Sequence, residues 1–152
     1  IAILLKPWFD ITVTYEFERG DFFPKPNVDI ILLLISARDD PLINHEHKML
    51  YEDFITFTFN QFKPNVREGL AKVFSDQSII RLAKDLSFSS KAKPSELNFE
   101  HWLGLFNFFL YKIDSKHQGV VRGSHARLLQ QQDKLDKINR TRIDPSWKRF
   151  NK

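Results

Sequence analysis

Cysteine is absent from this chain of 152 residues, which excludes disulfides and thiolate metal sites. The five histidines are scattered, and none has a partner at zinc-ligand spacing. His45 and His47 stand two apart at a helix start and cannot share a face as ligands. Glycine is scarce, with five residues. There is no Gly-rich phosphate or nucleotide loop, no HExxH and no serine–histidine pair at a nucleophile elbow. The adjacent Asp39 and Asp40 diverge and read as a turn, and Glu100-His101 reads as the first turn of a helix, where the acid suits the dipole. No apolar run is long enough to span a bilayer. Nor does the chain show a basic start, a hydrophobic stretch and a small-residue cleavage site in that order. A cytoplasmic protein without membrane contact is expected.

What is present is a chain that can bury a core. Apolar residues make up 42%, and fifteen are phenylalanine; the length suits one domain of ordinary size. The net charge of +4 is unevenly placed. Residues 1–111 hold 12 Lys and Arg against 15 Asp and Glu, whereas residues 112–152 hold 11 against 4. A basic tail of this kind suits a polyanion, because each neutralised phosphate releases counterions; a solubilising tail is the other reading.

The opening Ile1-Ala2-Ile3-Leu4-Leu5 is apolar from its first residue and carries no initiator methionine. It reads as the end of a buried helix or strand entered partway, broken or bent at Lys6-Pro7. From Asp10 to Phe17 the pattern has period two, with Ile11, Val13, Tyr15 and Phe17 on one side, which predicts a half-exposed strand. Arg19-Gly20-Asp21 ends it. Val28 to Ile35 is almost wholly apolar and predicts a strand covered on both faces. A lone hairpin containing such a strand is unstable in water, so sheet neighbours are expected.

After a connector at 36–44 the pattern turns helical. Tyr51, Phe54, Ile55, Thr58, Phe59 and Phe62 mark one helical face, and Pro64 suits the first turn of the next helix. Val66, Leu70, Val73 and Phe74 form a second stripe, and Ile79, Ile80, Leu82, Ala83 and Leu86 a third. A polar linker spans 87–95. Asn98 is an expected N-cap, with Leu97 placed to staple against Trp102, ahead of a well-buried helix through Phe99, Phe106 and Phe109. A last helix is expected from about Ser124 to Ile138, packed on one side only, with a loose end at 139–152.

Between the two strands lies Phe22-Phe23-Pro24-Lys25-Pro26-Asn27. Two prolines one residue apart stiffen the loop. Its rings have two readings: they hold a flipped base, or they plug the top of the core.

The stretch Phe22-Phe23-Pro24-Lys25-Pro26-Asn27-Val28-Asp29 resembles the F-x-P-x-P-x-V-D motif of the Erm family, the 23S rRNA adenine-N6 methyltransferases. The related small-subunit dimethyladenosine transferases share it. Further resemblances follow in order: Leu4-Leu5-Lys6-Pro7-Trp8-Phe9, Arg38-Asp39-Asp40-Pro41-Leu42, Tyr51-Glu52-Asp53-Phe54 and Phe99-Glu100-His101-Trp102-Leu103-Gly104-Leu105-Phe106. Arg122-Gly123-Ser124-His125-Ala126-Arg127 and Lys137-Ile138-Asn139-Arg140-Thr141-Arg142 resemble the C-terminal extension of the actinobacterial-type branch.

The resemblance implies an α/β protein: the end of a Rossmann-like methyltransferase sheet, with antiparallel last strands, followed by an all-helical domain. The implied division is 1–36 for the end of the methyltransferase domain, 37–113 for a helical rRNA-binding domain and 114–152 for a basic extension. It also implies a monomeric S-adenosylmethionine-dependent enzyme that methylates adenine N6 in 23S rRNA and gives macrolide-lincosamide-streptogramin B resistance. The family's Gly-rich donor loop and its Asn-(Leu/Ile)-Pro-(Tyr/Phe) motif do not occur in this chain, so the chain alone is expected to be inactive. Phe22 takes the place of the ring that stacks on the target adenine, with Pro24 and Lys25 beside it. Arg122, Arg127, Lys134, Lys137, Arg140 and Arg142 are candidate phosphate contacts. The alternatives are a small-subunit rRNA adenine dimethyltransferase and a non-catalytic RNA-binding module.

Overall fold

The computed structural model describes residues 2–135. A short helix α1 (Ala2–Leu5) leads into strand β1 (Phe9–Phe17), which pairs antiparallel with β2 (Ile30–Ala37) in a two-stranded sheet. Helices α2 (Lys48–Phe59), α3 (Val66–Gly69), α4 (Asp76–Asp85), α5 (Phe99–Lys112), α6 (Ser115–Val121) and α7 (Ser124–Asp133) follow. The order is that expected from the sequence: an antiparallel hairpin, then an all-helical region. Among the described residues, no helix is long and apolar enough to cross a membrane.

The register of the hairpin corrects the expected facing of β1. Cross-strand partners share a face, and faces alternate along a strand. Val13 lies opposite Leu33, but Tyr15 lies opposite Leu32, so Thr14 is an extra residue, a bulge. Its hydroxyl donates to the Leu32 carbonyl at 3.2 Å. The one-residue shift moves Tyr15 and Phe17 off the face of Ile11 and Val13 and onto that of Leu32 and Ile30. The second strand begins at Ile30 rather than Val28, and just before it Asp29 meets Arg19 at 3.2 Å across the mouth of the loop. The expected cover on both faces of β2 is not supplied by the described residues: Ile31, Leu32, Leu33, Leu34 and Ile35 are 43–55% exposed.

The helices close around aromatic rings. Tyr51 and Phe54 of α2 meet Trp102, Phe106 and Phe109 of α5, all fully buried. Phe54 and Phe109 have centroids 4.8 Å apart, and Tyr51 stands edge-on to Phe106 at 5.0 Å. Such pairs add roughly 0.5–1.5 kcal/mol each beyond the burial of area. Caps fix where the helices start. Asn65, Ser75, Asn98 and Asp114 accept backbone N–H groups of the first turns of α3, α4, α5 and α6. Asn98 is the cap expected, and Leu97 and Trp102 both enter the core. Pro64, expected inside a first turn, instead precedes the Asn65 cap. Phe62, expected on the buried face, lies past the end of α2 with φ of 51° and is 93% exposed. The linker at 87–95 is not wholly loose, since the Val66 and Arg67 N–H groups donate to the carbonyls of Ala92 and Ser90. Helix α7 ends at Asp133, with Lys134 and Leu135 in a turn where the sequence predicts that the helix runs on; the rest of the expected continuation, 136–138, and the loose end at 139–152 lie outside the described residues.

Candidate nucleic-acid interface

The hairpin is joined to the helices by residues that the sequence motifs carry. Trp8 is buried and stands edge-on to Tyr51 at 5.7 Å, with His45 stacked on it at 6.1 Å. Lys48 Nζ lies 5.7 Å from its ring. The Tyr51 hydroxyl donates to the Ile3 carbonyl at 2.8 Å, and burial pushes this phenol well above the usual tyrosine range. Arg38 reaches back across the same joint. Its Nε donates to the Lys6 carbonyl at 3.1 Å, its Nη2 meets Asp10 Oδ1 at 2.6 Å, and its backbone N–H donates to the Trp8 carbonyl at 2.9 Å.

The loop carried by this hairpin spans residues 18–29. A 3-10 turn at Arg19–Asp21 is held by the Glu18 N–H, which donates to Asp21 Oδ2 at 3.0 Å. The Phe23–Pro24 peptide is cis. Phe22 is half-buried, edge-on to Phe17 at 5.3 Å, and Phe17 is edge-on to Tyr15 at 4.8 Å. The Thr14 bulge thus sets two rings of β1 behind the Phe22 ring, a support that no sequence pattern displayed. Phe23 is 87% exposed, Pro24 and Lys25 are exposed and Pro26 is half-buried.

The basic candidates sit at the other end of the chain. Arg122, Arg127 and Lys134 are exposed on the α6–α7 segment; Lys137, Arg140 and Arg142 lie outside the described residues. Arg127 Nη2 donates to Ser124 Oγ at 2.9 Å. Asp53, buried on α2, accepts the Gly123 N–H at 2.8 Å and the His125 N–H at 2.9 Å, and Glu52 Oε2 lies 3.3 Å from His125 Nδ1. The motif segments 51–54 and 122–127, about seventy residues apart, are therefore one joint. A carboxylate within an apolar helical stripe was the signal in the sequence, but its partner was not. Two further acids have carboxyls held below the usual range. Arg67 donates to Asp76 through two guanidinium nitrogens, one of them at 2.9 Å. Asp114 accepts the backbone N–H and then the imidazole of His117.

The Gly-rich donor loop that the resemblance implies for S-adenosylmethionine has no counterpart among the described residues. Here Gly20 sits in an exposed turn, Gly69, Gly104 and Gly119 lie in separate helices and Gly123 opens α7. The clefts at Arg67 and Lys91 (about 400 Å³) and at Lys72 and His117 (about 300 Å³) are open surface features of the helical region.

Comparison with known proteins gives a consistent direction. No protein-family model matches the chain. Ribosomal RNA small subunit methyltransferase A of Chlamydia felis is 25% identical over 107 residues, covering 70% of this chain and 37% of that protein. The protein of the same name from Chlamydia caviae is 24% identical over 111 residues, covering 70% and 38%. The chain thus spans well under half the length of these relatives. The crystal structure of the 23S rRNA methyltransferase ErmE matches the fold with a TM-score of 0.59 at 21% identity, over 69% of this chain and 43% of that one. Sequence and fold both relate the chain to ribosomal RNA methyltransferases.

Proposed function

We propose that this chain is the C-terminal part of an S-adenosylmethionine-dependent methyltransferase acting on adenine N6 of ribosomal RNA. The observation that carries the reading is that its sequence likeness and its fold likeness, each over about 70% of the chain, both fall on ribosomal RNA methyltransferases. The uncovered hairpin supports it: an apolar strand with both faces in water needs neighbours and covering helices. In this reading residues 1–36 complete the methyltransferase sheet, 37–113 are the helical RNA-binding domain and 114–152 the basic extension. The donor is bound by residues outside this chain.

The role of this chain is to hold RNA. Phe22, backed by Phe17 and flanked by Pro24 and Lys25, stacks on the extruded adenine, a contact worth roughly 1–3 kcal/mol. Arg122, Arg127 and Lys134, with Lys137, Arg140 and Arg142, neutralise phosphates. The enzyme acts as a monomer. The names of the sequence relatives favour small-subunit rRNA as substrate. A second reading, 23S rRNA with macrolide-lincosamide-streptogramin B resistance, is favoured by the ErmE likeness and by the C-terminal motifs.

The test is methyl incorporation by the complete enzyme, with labelled donor, into small-subunit and large-subunit rRNA supplied separately. Label in adenine N6 of the small-subunit RNA supports the first reading, and label in the large-subunit RNA the second. Folded protein that binds RNA but transfers no methyl group to either leaves a non-catalytic RNA-binding module.

A further inference from the structure

Helix α7 is preceded in its cap position by Gly123, which has φ of 76° and no side chain with which to cap the helix. The first N–H groups of a helix have no partner within it. Here the cap comes from another helix. Asp53 of α2, 8% exposed, receives the Gly123 N–H on Oδ2 and the His125 N–H on Oδ1, at 2.8 and 2.9 Å. Both carboxylate oxygens are used, and the charge sits at the positive end of α7. Ser124 is buried between these contacts and receives Arg127 Nη2, so the direction of one basic side chain is set by the same turn. Arg122 precedes the turn, Lys134 ends the helix, and both are exposed.

From this geometry we propose that Asp53 is a positioning residue for RNA binding: by capping α7 from α2 it aims Arg122, Arg127 and Lys134 at the RNA phosphates. The proposal rests on the rRNA reading above. A buried acid that touches no RNA thereby controls an electrostatic surface formed some seventy residues later. Held in register, the cations of the turn and of α7 meet phosphates together; with the cap lost, each meets them singly and fewer counterions are released.

The test is binding of the complete enzyme to its rRNA over a range of salt, for wild type, Asp53→Asn, the pair Arg122→Gln with Arg127→Gln, and the triple variant. Asp53→Asn is expected to weaken binding roughly tenfold and to make the dependence of log K on log salt shallower by about 1–2. Donor affinity stays unchanged. In the background lacking both arginines, Asp53→Asn is expected to cost little more, because the groups it aims are gone. Equal losses in the two backgrounds, or full RNA affinity with only a lower melting temperature, overturn the proposal. Where Asp53→Asn does not fold, the arginine pair decides: unchanged affinity and slope show that the turn carries no RNA contact and overturn it, whereas loss of both supports it. Wild type that binds no rRNA at all refutes the rRNA reading instead and leaves the capping contact intact.

Discussion

Trp8 stands edge-on to Tyr51, with ring centroids 5.7 Å apart, and this contact is the hinge pin between the strand hairpin and the helices. It joins the last residue before β1 to the fully buried face of α2. Trp8→Ala is expected to cost roughly 3–5 kcal/mol, as deletion of a buried tryptophan does. Tyr51→Phe keeps the ring but leaves the Ile3 carbonyl without its donor, at about 1 kcal/mol. Urea unfolding of both variants checks the order. A Tyr51→Phe loss as large as that of Trp8→Ala would mean that the hydrogen bond, not the ring packing, holds the joint.

The turn at Phe62 offers a gain in stability. The left-handed backbone region costs an L-residue roughly 1–2 kcal/mol, and Phe62 adopts it with its side chain 93% exposed. Glycine there relieves that cost while losing roughly 0.4–1 kcal/mol through the freer unfolded chain. The net expectation for Phe62→Gly is a gain of about 0.5–1 kcal/mol, visible as a higher denaturation midpoint at unchanged m-value. Gly123 is the converse case. An added Cβ would meet only the end of Arg127 at 3.7 Å, so Gly123→Ala meets the left-handed backbone cost less the gain from a stiffer unfolded chain, a net loss of about 0.5–1 kcal/mol.

The acid limb of stability follows from two exposed carboxylates, Asp76 paired with Arg67 and Asp114 capping α6. Asp76 and Asp114 have folded-state pKa values below the ordinary carboxylate value, through Arg67 and through the His117 N–H respectively. A depressed folded pKa favours the folded state above the unfolded-state pKa and loses that contribution as pH falls through the folded value. Both groups are exposed, so solvent screens the effect. Melting temperature followed from pH 6 downward is expected to fall below about pH 4, and Asp114→Asn is expected to flatten part of that fall. An identical acid limb in Asp114→Asn would show that the Asp114 contacts contribute nothing.

Short-range features were legible in the sequence and long-range ones were not. The β1 strand, the α2 helix and the Asn98 cap depend on neighbours within a few positions, and each is found, although Tyr15 and Phe17 change face and Phe62 leaves the α2 stripe. Helix α6 was missed because only Val120 and Val121 mark it, although its Asp114 cap was in view. The Thr14 bulge left no trace, since Thr suits either side of a strand; only pairing with β2 reveals that it displaces Tyr15 and Phe17. At the candidate interface, the proline loop was conspicuous by composition. The ring support of Phe22 and the capping role of Asp53 exist only after chain segments meet. Trp8, Arg38, Tyr51 and Asp53, quoted only for the resemblance of their segments, prove to be joints between chain segments.

Phe22 is where the proposed chemistry and the packing can be told apart. Its half-buried ring packs edge-on against Phe17 on the hairpin and takes no part in the helical core, so removing it leaves that core untouched. Loss of a base-stacking platform worth roughly 1–3 kcal/mol corresponds to a drop in kcat/KM for rRNA of about 5- to 150-fold. Phe22→Ala in the complete enzyme is therefore expected to lose methylation on that scale, with donor affinity and melting temperature nearly unchanged. Phe22→Tyr, which keeps the stacking face, is expected to recover most of the activity. A parallel loss of donor binding and stability in Phe22→Ala would instead make the ring a structural prop for the loop, with Phe17 and Tyr15 as its foundation.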